Sequence, residues 1–300
     1  MSVVELPLTW QRCRAALESL AAAHPDQCRL ATFGTTAGGR SLDALYIGSG
    51  DYRVLYSGAH HANEWLTAPL LLMFAEAVLD GTEMLSPEAT VCLVPMVDPD
   101  GVDLVTGAIG PGTESYEKAR ALSENYPSIP FPDGWKANLA GVDLNLNYPA
   151  KWRMAREIKF SQGFTRPGPR DYVGRFPLDQ PETKALATLT YQFDPALVLA
   201  YHSQGQVIYW QFGDYNIPGA QALGEEFARL SGYELADVPY ESSFAGYKDW
   251  FIQKFRRPGY TIEAGSGENP LPLSQFEEIY RDNLPILVTA ALGLPERNDK

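Results

Sequence analysis

Apolar and polar positions change their period from one stretch of the chain to the next. In "TWQRCRAALESLAAAHPD", Trp10, Cys13, Leu17 and Leu20 recur at helical spacing behind Thr9, and His24-Pro25 closes the run. That pattern predicts an amphipathic helix with an N-capping threonine. "RSLDALYIG" alternates as a half-buried strand does, and "RVLYSGA" reads as a buried strand. "EWLTAPLLLMFAEAVLDG" predicts a helix ended at Gly81, and "TVCLVPMV" another buried strand. An irregular stretch rich in Gly, Pro and Asn follows, from about Asp98 to Arg175. Loops of that length are uncommon in compact domains unless they serve a function. Beyond it the pattern predicts a helix from Glu182 and strands at "ALVLAYHS" and "QVIYW". Helices at "AQALGEEFARLSG" and "AGYKDWFIQKF", a strand at "GYTIEAG" and a last helix from Ser274 complete the chain.

Strands alternating with helices predict an α/β protein on a mixed, mostly parallel twisted sheet flanked by helices. No repeat, low-complexity tract or linker interrupts the pattern, so residues 1–300 read as a single domain, long enough to bury a large core. The net charge of −13, with no basic stretch to offset it, argues against nucleic acid as a partner. The longest apolar run, around Leu70–Phe74, is far too short to span a membrane. Cys13, Cys28 and Cys92 are widely spaced and odd in number, which fits neither a disulfide framework nor a cysteine-rich zinc motif. Free thiols suit a reducing compartment. The opening residues lack a basic start followed by an apolar stretch, so no signal peptide is read and a cytoplasmic enzyme is expected.

The chemistry concentrates around "GAHHANEWLTAP". Two of the chain's four histidines stand side by side here. His61 and Glu64 are spaced i, i+3, which puts both side chains on one face of a helical turn, where they can grip a divalent metal. Alone, that pair is a weak signal, because such pairs arise by chance. His202, however, ends the apolar strand "ALVLAYHS", and His61 follows "RVLYS" in the same way. Ligands of open α/β sheets collect at the carboxyl ends of strands. Two histidines and a glutamate with an open fourth position make a hydrolytic zinc site. Glu263 ends another apolar strand, where a carboxylate is costly unless paired or close to a metal, and it is the candidate base. Singly, His202 reads as well as a buried strand-end histidine with a backbone partner, and Glu263 as a capping or salt-bridge acid. Their joint occurrence favours the metal site.

The set "HHANEW", "DPDG", "GVDLNLNYP", "AYHSQG", "GYKDWF" and "TIEAG" resembles, in order and spacing, the zinc carboxypeptidase family. The likeness runs from the Thr9 helix to the C-terminal helix. It implies one Zn2+ per chain on His61, Glu64 and His202, with Glu263 as general base. The family's carbonyl-polarising arginine falls on Lys136, which replaces a bidentate fork by a point charge. Asp143 is implied to orient His61 through its second ring nitrogen, while His60 remains a strand-end residue beside the site. In the family pattern an Asn-Arg pair after "GVD" holds the substrate's terminal carboxylate. Asn145 keeps the Asn, but Leu146 stands at the Arg position and cannot pair a carboxylate.

Within the family, "HHANEW", "WKAN" before "GVDLN", and "GYKDWF" look most like the bacterial γ-D-glutamyl-L-diamino acid peptidases, which cut cell-wall peptides. This implies a small murein peptide as substrate. Lys248 falls in the family's specificity pocket, where it favours an acidic group on the leaving residue, such as the side-chain carboxylate of diaminopimelate. Tyr240 is the nearest candidate for the tyrosine that closes over substrate, about one residue off the family spacing. The alternative is a metallocarboxypeptidase with a rebuilt carboxylate anchor that removes C-terminal residues from L-peptides.

Overall fold

A computed structural model describes residues 5–292; the remaining residues of the expected domain, 1–4 and 293–300, lie outside the described part. In chain order the elements are α1 (Trp10–Ala23), β1 (Cys28–Thr35), β2 (Ser41–Gly48), β3 (Tyr52–Ser57), α2 (Thr67–Leu79), β4 (Ala89–Val94), α3 (Pro99–Val105), α4 (Glu114–Ser123), α5 (Trp152–Ser161), α6 (Pro181–Phe193), β5 (Leu197–His202), β6 (Val207–Tyr209), α7 (Ala220–Ser231), β7 (Glu234–Ala236), α8 (Tyr247–Phe255), β8 (Gly259–Glu263) and α9 (Phe276–Leu292). One eight-stranded sheet has the order β1-β2-β4-β3-β5-β8-β6-β7. Its middle strands β4, β3, β5 and β8 are parallel, and antiparallel pairings join β2 and β6 to that block. This is the mixed α/β sheet that the alternation of patterns predicts.

The parallel strands are continuously apolar because both of their faces are covered. Val54 and Tyr56 of β3 and Leu197, Leu199 and Tyr201 of β5 point into one core, with Leu17, Leu70, Phe74, Phe227 and Leu287 from the helices. Leu55, Val198 and Ala200 point into the other, with Leu186, Phe251 and Tyr148. The two-residue period thus sorts adjacent side chains into opposite layers. Among the described residues no helix is long and apolar enough to cross a membrane.

The structure adds elements that the apolar pattern did not predict. β1 is an edge strand in which Cys28 alone is buried, so no clean alternation marks it. The stretch read as irregular holds α3, α4 and α5. α3 is only seven residues long, with Asp98 accepting from Gly101 N at 3.0 Å as its N-cap and Pro99 in its first turn. Short helices between Gly- and Pro-rich turns carry too few periods to stand out.

β3 is the topological switch of the sheet. From it the chain returns through α2 to β4 on one side, while β5 lies on the other. A crevice at the carboxyl ends of the strands opens at such a point.

Candidate active site

β3 ends at Ser57, and the chain turns at once through Gly58 and Ala59. A Cβ on Gly58 would lie 2.9 Å from the carbonyl oxygens of both Pro95 and Thr67, so only glycine lets the backbone pass. Ala59 takes a left-handed φ of 46°, held by its N–H donating to Thr67 Oγ1 at 2.7 Å. The turn delivers His61 as the N-cap of a 3₁₀ turn, Ala62–Glu64. In a 3₁₀ turn residues i and i+3 eclipse, which brings His61 Nδ1 to 2.9 Å from Glu64 Oε1.

His202 arrives at the end of β5, next to β3 in the sheet. Its Nδ1 lies 2.9 Å from Glu64 Oε2 and 3.2 Å from His61 Nδ1. His61, Glu64 and His202 are all buried and form a group positioned to bind one metal ion, their ligand atoms lying within 4.8 Å of one another. The donor chemistry fits zinc. The other nitrogen of His61, Nε2, lies 3.0 Å from Asp143 Oδ1. A carboxylate there holds the ring proton at Nε2 and leaves the Nδ1 lone pair for a metal. Two imidazole nitrogens and a carboxylate converging on one point are the ligand set of a hydrolytic zinc site.

The electrostatics match a site built for a cation. Burial opposes charge on His61, but Glu64 and Asp143 outweigh it and raise its pKa to about 9. Burial alone would raise the carboxyl of Glu64; the neighbouring His61 and Lys136 instead hold it well below the ordinary range. Lys136 Nζ lies 2.8 Å from Glu64 Oε1. His60 is fully buried and stacked at 5.5 Å on His202; burial and the other two histidines keep it neutral. It faces Tyr148 rather than Glu64, with Nε2 3.3 Å from the hydroxyl.

Glu263 stands at the end of β8, in register with His202. Burial first, and the Glu64 charge second, push its pKa up to about 8. It opens onto two cavities, of about 230 and 790 Å³, that meet at Lys136, Arg170, Tyr209 and Glu263. The smaller one is also lined by His61, Asp143, Asn145, Leu146 and Lys248. Asn145 Oδ1 accepts from Tyr247 N at 3.0 Å, and the amide N–H2 of this cavity-lining residue has no partner among the described residues.

The structure therefore gathers His61, Glu64, His202, Lys136, Asp143, Glu263, Asn145 and Lys248 around one crevice. Lys248 is already engaged: its Nζ lies 2.6 Å from Asp249 Oδ1 and donates to the Gln211 carbonyl at 2.5 Å. Tyr240 does not line either cavity; it is 62% exposed and packs edge-on against Phe244. Four residues escaped the sequence reading. Asn269 donates to the Ser203 carbonyl at 2.6 Å behind Glu64, and Lys159, Arg170 and Asp171 line the smaller cavity. The only signal of Lys159, Arg170 and Asp171 was their place in the long stretch after Asp98, which gave no spacing to act on, and Asn269, in the turn after β8, had none.

A profile of the zinc carboxypeptidase family matches residues 13–286. The chain is 45% identical over 258 residues to gamma-D-glutamyl-L-diamino acid endopeptidase 1 of Lysinibacillus sphaericus, covering 82% of this chain and 63% of that protein. It is 29% identical over 118 residues to murein peptide amidase A of Escherichia coli K12, covering 35% of this chain and 48% of the other. It thus spans less than two thirds of the length of either relative. In fold it superposes on bovine thrombin-activatable fibrinolysis inhibitor with a TM-score of 0.72 at 17% identity, covering 95% of this chain and 96% of that one.

Proposed function

The chain belongs to the zinc carboxypeptidase family, and on that footing we propose that it hydrolyses the γ-D-glutamyl–diaminopimelate amide of murein peptides. The observation that carries this reading is the 45% identity to an endopeptidase named for that bond. Leu146 on the cavity wall supports it, since the position that holds a terminal carboxylate in the family pattern offers no charge here.

A zinc ion on His61, Glu64 and His202 supplies a Lewis acid for the amide carbonyl and acidifies a water. Everything else falls to side chains. Glu263 takes a proton from the attacking water and passes it to the leaving amine. Its raised pKa belongs to the metal-free site; a divalent cation beside it favours the carboxylate that a base requires. Lys136 places an ammonium where negative charge develops on the carbonyl oxygen. Asp143 keeps His61 in one tautomer and orientation. Asn145 offers its free amide hydrogens to the leaving residue, and Lys248 its remaining N–H to a carboxylate there. Tyr240 would reach the substrate only after leaving its place on Phe244. Three buried free thiols, Cys13, Cys28 and Cys92, support a reducing compartment and hence turnover of wall peptides in the cytoplasm.

The test is mass analysis of products from L-Ala-γ-D-Glu-diaminopimelate and its D-Ala-extended tetrapeptide. Release of L-Ala-D-Glu is expected. Intact murein peptides together with C-terminal trimming of free-ended L-peptides would establish the carboxypeptidase alternative instead.

A further inference from the structure

Within the smaller cavity the charges pair off unevenly. Lys136 meets Glu64, Lys248 meets Asp249, and Asp143 meets His61. Asp171, away from the metal ligands, serves two cations: its Oδ1 lies 2.6 Å from Lys159 Nζ and its Oδ2 2.6 Å from Arg170 Nε. One carboxylate between two cations leaves a positive charge over. That surplus is displayed in a definite form. Arg170 spends Nε on Asp171, while neither of its Nη atoms has a partner among the described residues. The free edge of a guanidinium, with two parallel N–H donors, matches a carboxylate bidentately.

The position of that edge is also fixed. Arg170 lines both cavities, as Lys136 and Glu263 do, so it stands at the junction where an amide must lie to be cut. Its segment is stitched to the catalytic one: the N–H groups of Lys136 and Ala137 both donate to the Pro169 carbonyl, at 2.7 and 2.9 Å, and Asp143 N donates to Tyr172 O at 2.8 Å. Asp171 adopts a left-handed φ of 64°, uncommon for a residue with a side chain, and its N–H donates to Asp143 Oδ2 at 3.2 Å. A continuous chain of contacts therefore runs from His61 through Asp143 and Asp171 to Arg170. The guanidinium is held at a set place relative to the metal ligands although no metal ligand touches it.

We propose that the free edge of Arg170, backed by Asp171 and Lys159, binds a carboxylate of the substrate next to the scissile amide. The identity of the substrate rests on the murein-peptide reading above. In such a peptide the carboxylate is either the α-carboxylate of the D-glutamyl residue, on the acyl side, or a carboxylate of diaminopimelate, on the leaving side. Both are the same chemistry at Arg170.

The experiment measures binding without turnover, by calorimetry on the zinc-loaded Glu263→Gln protein. Three ligands are compared: L-Ala-γ-D-Glu-diaminopimelate, the same peptide with the glutamyl α-carboxylate amidated, and the peptide with both diaminopimelate carboxylates amidated. One of the two amides should bind about 10- to 100-fold more weakly than the parent, the size of a lost charge-assisted contact. Because Lys248 can also meet a diaminopimelate carboxylate, the one held by Arg170 is the one whose amidation penalty falls when Arg170→Gln is added. Adding Arg170→Gln should weaken the parent by a similar factor and remove the part of the difference that Arg170 carries, leaving for the diaminopimelate amide only what Lys248 contributes, with zinc content and melting temperature unchanged. Arg170→Lys should restore only part, because it lacks the fork. Equal binding of all three peptides, no binding of any, or discrimination undiminished by Arg170→Gln overturns the proposal. The active enzyme separates the two readings. Peptides left uncut despite Arg170-dependent binding would sink the proposed reaction alone; peptides cut at the proposed bond with no Arg170-dependent preference would sink the carboxylate site alone.

Discussion

Lys248→Met perturbs a buried ion pair and distinguishes a structural lysine from a specificity lysine. The side chains of Lys248 and Asp249 are 4% and 5% exposed and lie 2.6 Å apart. Burial pushes the Asp249 carboxyl up, and Lys248 opposes that push. Without the ammonium, Asp249 keeps only the N–H of Gly246, at 3.4 Å. Breaking one partner out of a buried pair costs about 3–5 kcal/mol, because the other charge stays behind uncompensated. Methionine keeps most of the volume, so little of the loss comes from a cavity. With about 2.1 cal/mol/K per residue, a chain of 300 residues has an unfolding entropy of roughly 0.6 kcal/mol/K, and the melting temperature should fall by about 5–8 °C at pH 7. The pH dependence has a definite sign. In the variant the folded pKa of Asp249 lies above its unfolded value, so the variant loses stability as pH rises above about 4. The gap to wild type should therefore be widest near neutrality and narrow toward pH 4. Scanning calorimetry at pH 4, 5.5 and 7 measures it. An unchanged melting temperature, or a gap that does not shrink in acid, refutes the ion-pair account. The same variant reports on substrate. The ammonium has one N–H left after Asp249 and Gln211, so the preference for diaminopimelate over L-lysine peptides should fall too. A stability loss with that ratio unchanged would make Lys248 a structural residue alone.

Other outcomes follow from the same geometry. Glu263→Gln should retain zinc and lose about 10²–10⁴-fold in turnover, since it removes the proton carrier and spares the ligands; near-normal turnover places the base elsewhere. His202→Ala should lose most of the bound zinc by elemental analysis, and Asp143→Asn should weaken zinc about 10- to 100-fold through the freed His61 ring. Zinc affinity should rise with pH. The metal-free His61, with its pKa raised to about 9, carries a proton that the metal must displace, so below that pH the affinity should gain roughly tenfold per pH unit; a flat profile between pH 6 and 8 would contradict it. Glu182, remote from the metal, is raised by burial to about 7 from an ordinary value near 4.5, so its folded form holds the proton more tightly and wild type should lose roughly 3 kcal/mol between those pH values. Glu182→Gln should flatten that slope in urea titrations at pH 4.5 and 7.5.

Much of the metal centre was legible in the linear chain because its cues are local. An i, i+3 pair becomes one face of a tight turn wherever the turn forms, and an apolar run ended by a histidine or glutamate puts that side chain at a strand's carboxyl end. The continuous apolar character of β3 and β5 likewise announced strands covered on both faces. Only the tertiary structure decided what those residues meet. The register of β5 on β8, which sets His202 opposite Glu263, depends on strand order. The neutralisation of Lys248 depends on the Gln211 carbonyl, 37 residues away in sequence, as well as on Asp249 beside it. Arg170 became a candidate only once backbone bonds from Lys136 to Pro169 drew two loop segments together and α5 brought Lys159 to share its carboxylate. Local spacing dictates local geometry through the backbone's few allowed conformations. Which charges end up paired, and which is left over to meet a substrate, is set by contacts between distant segments, and no local period encodes them.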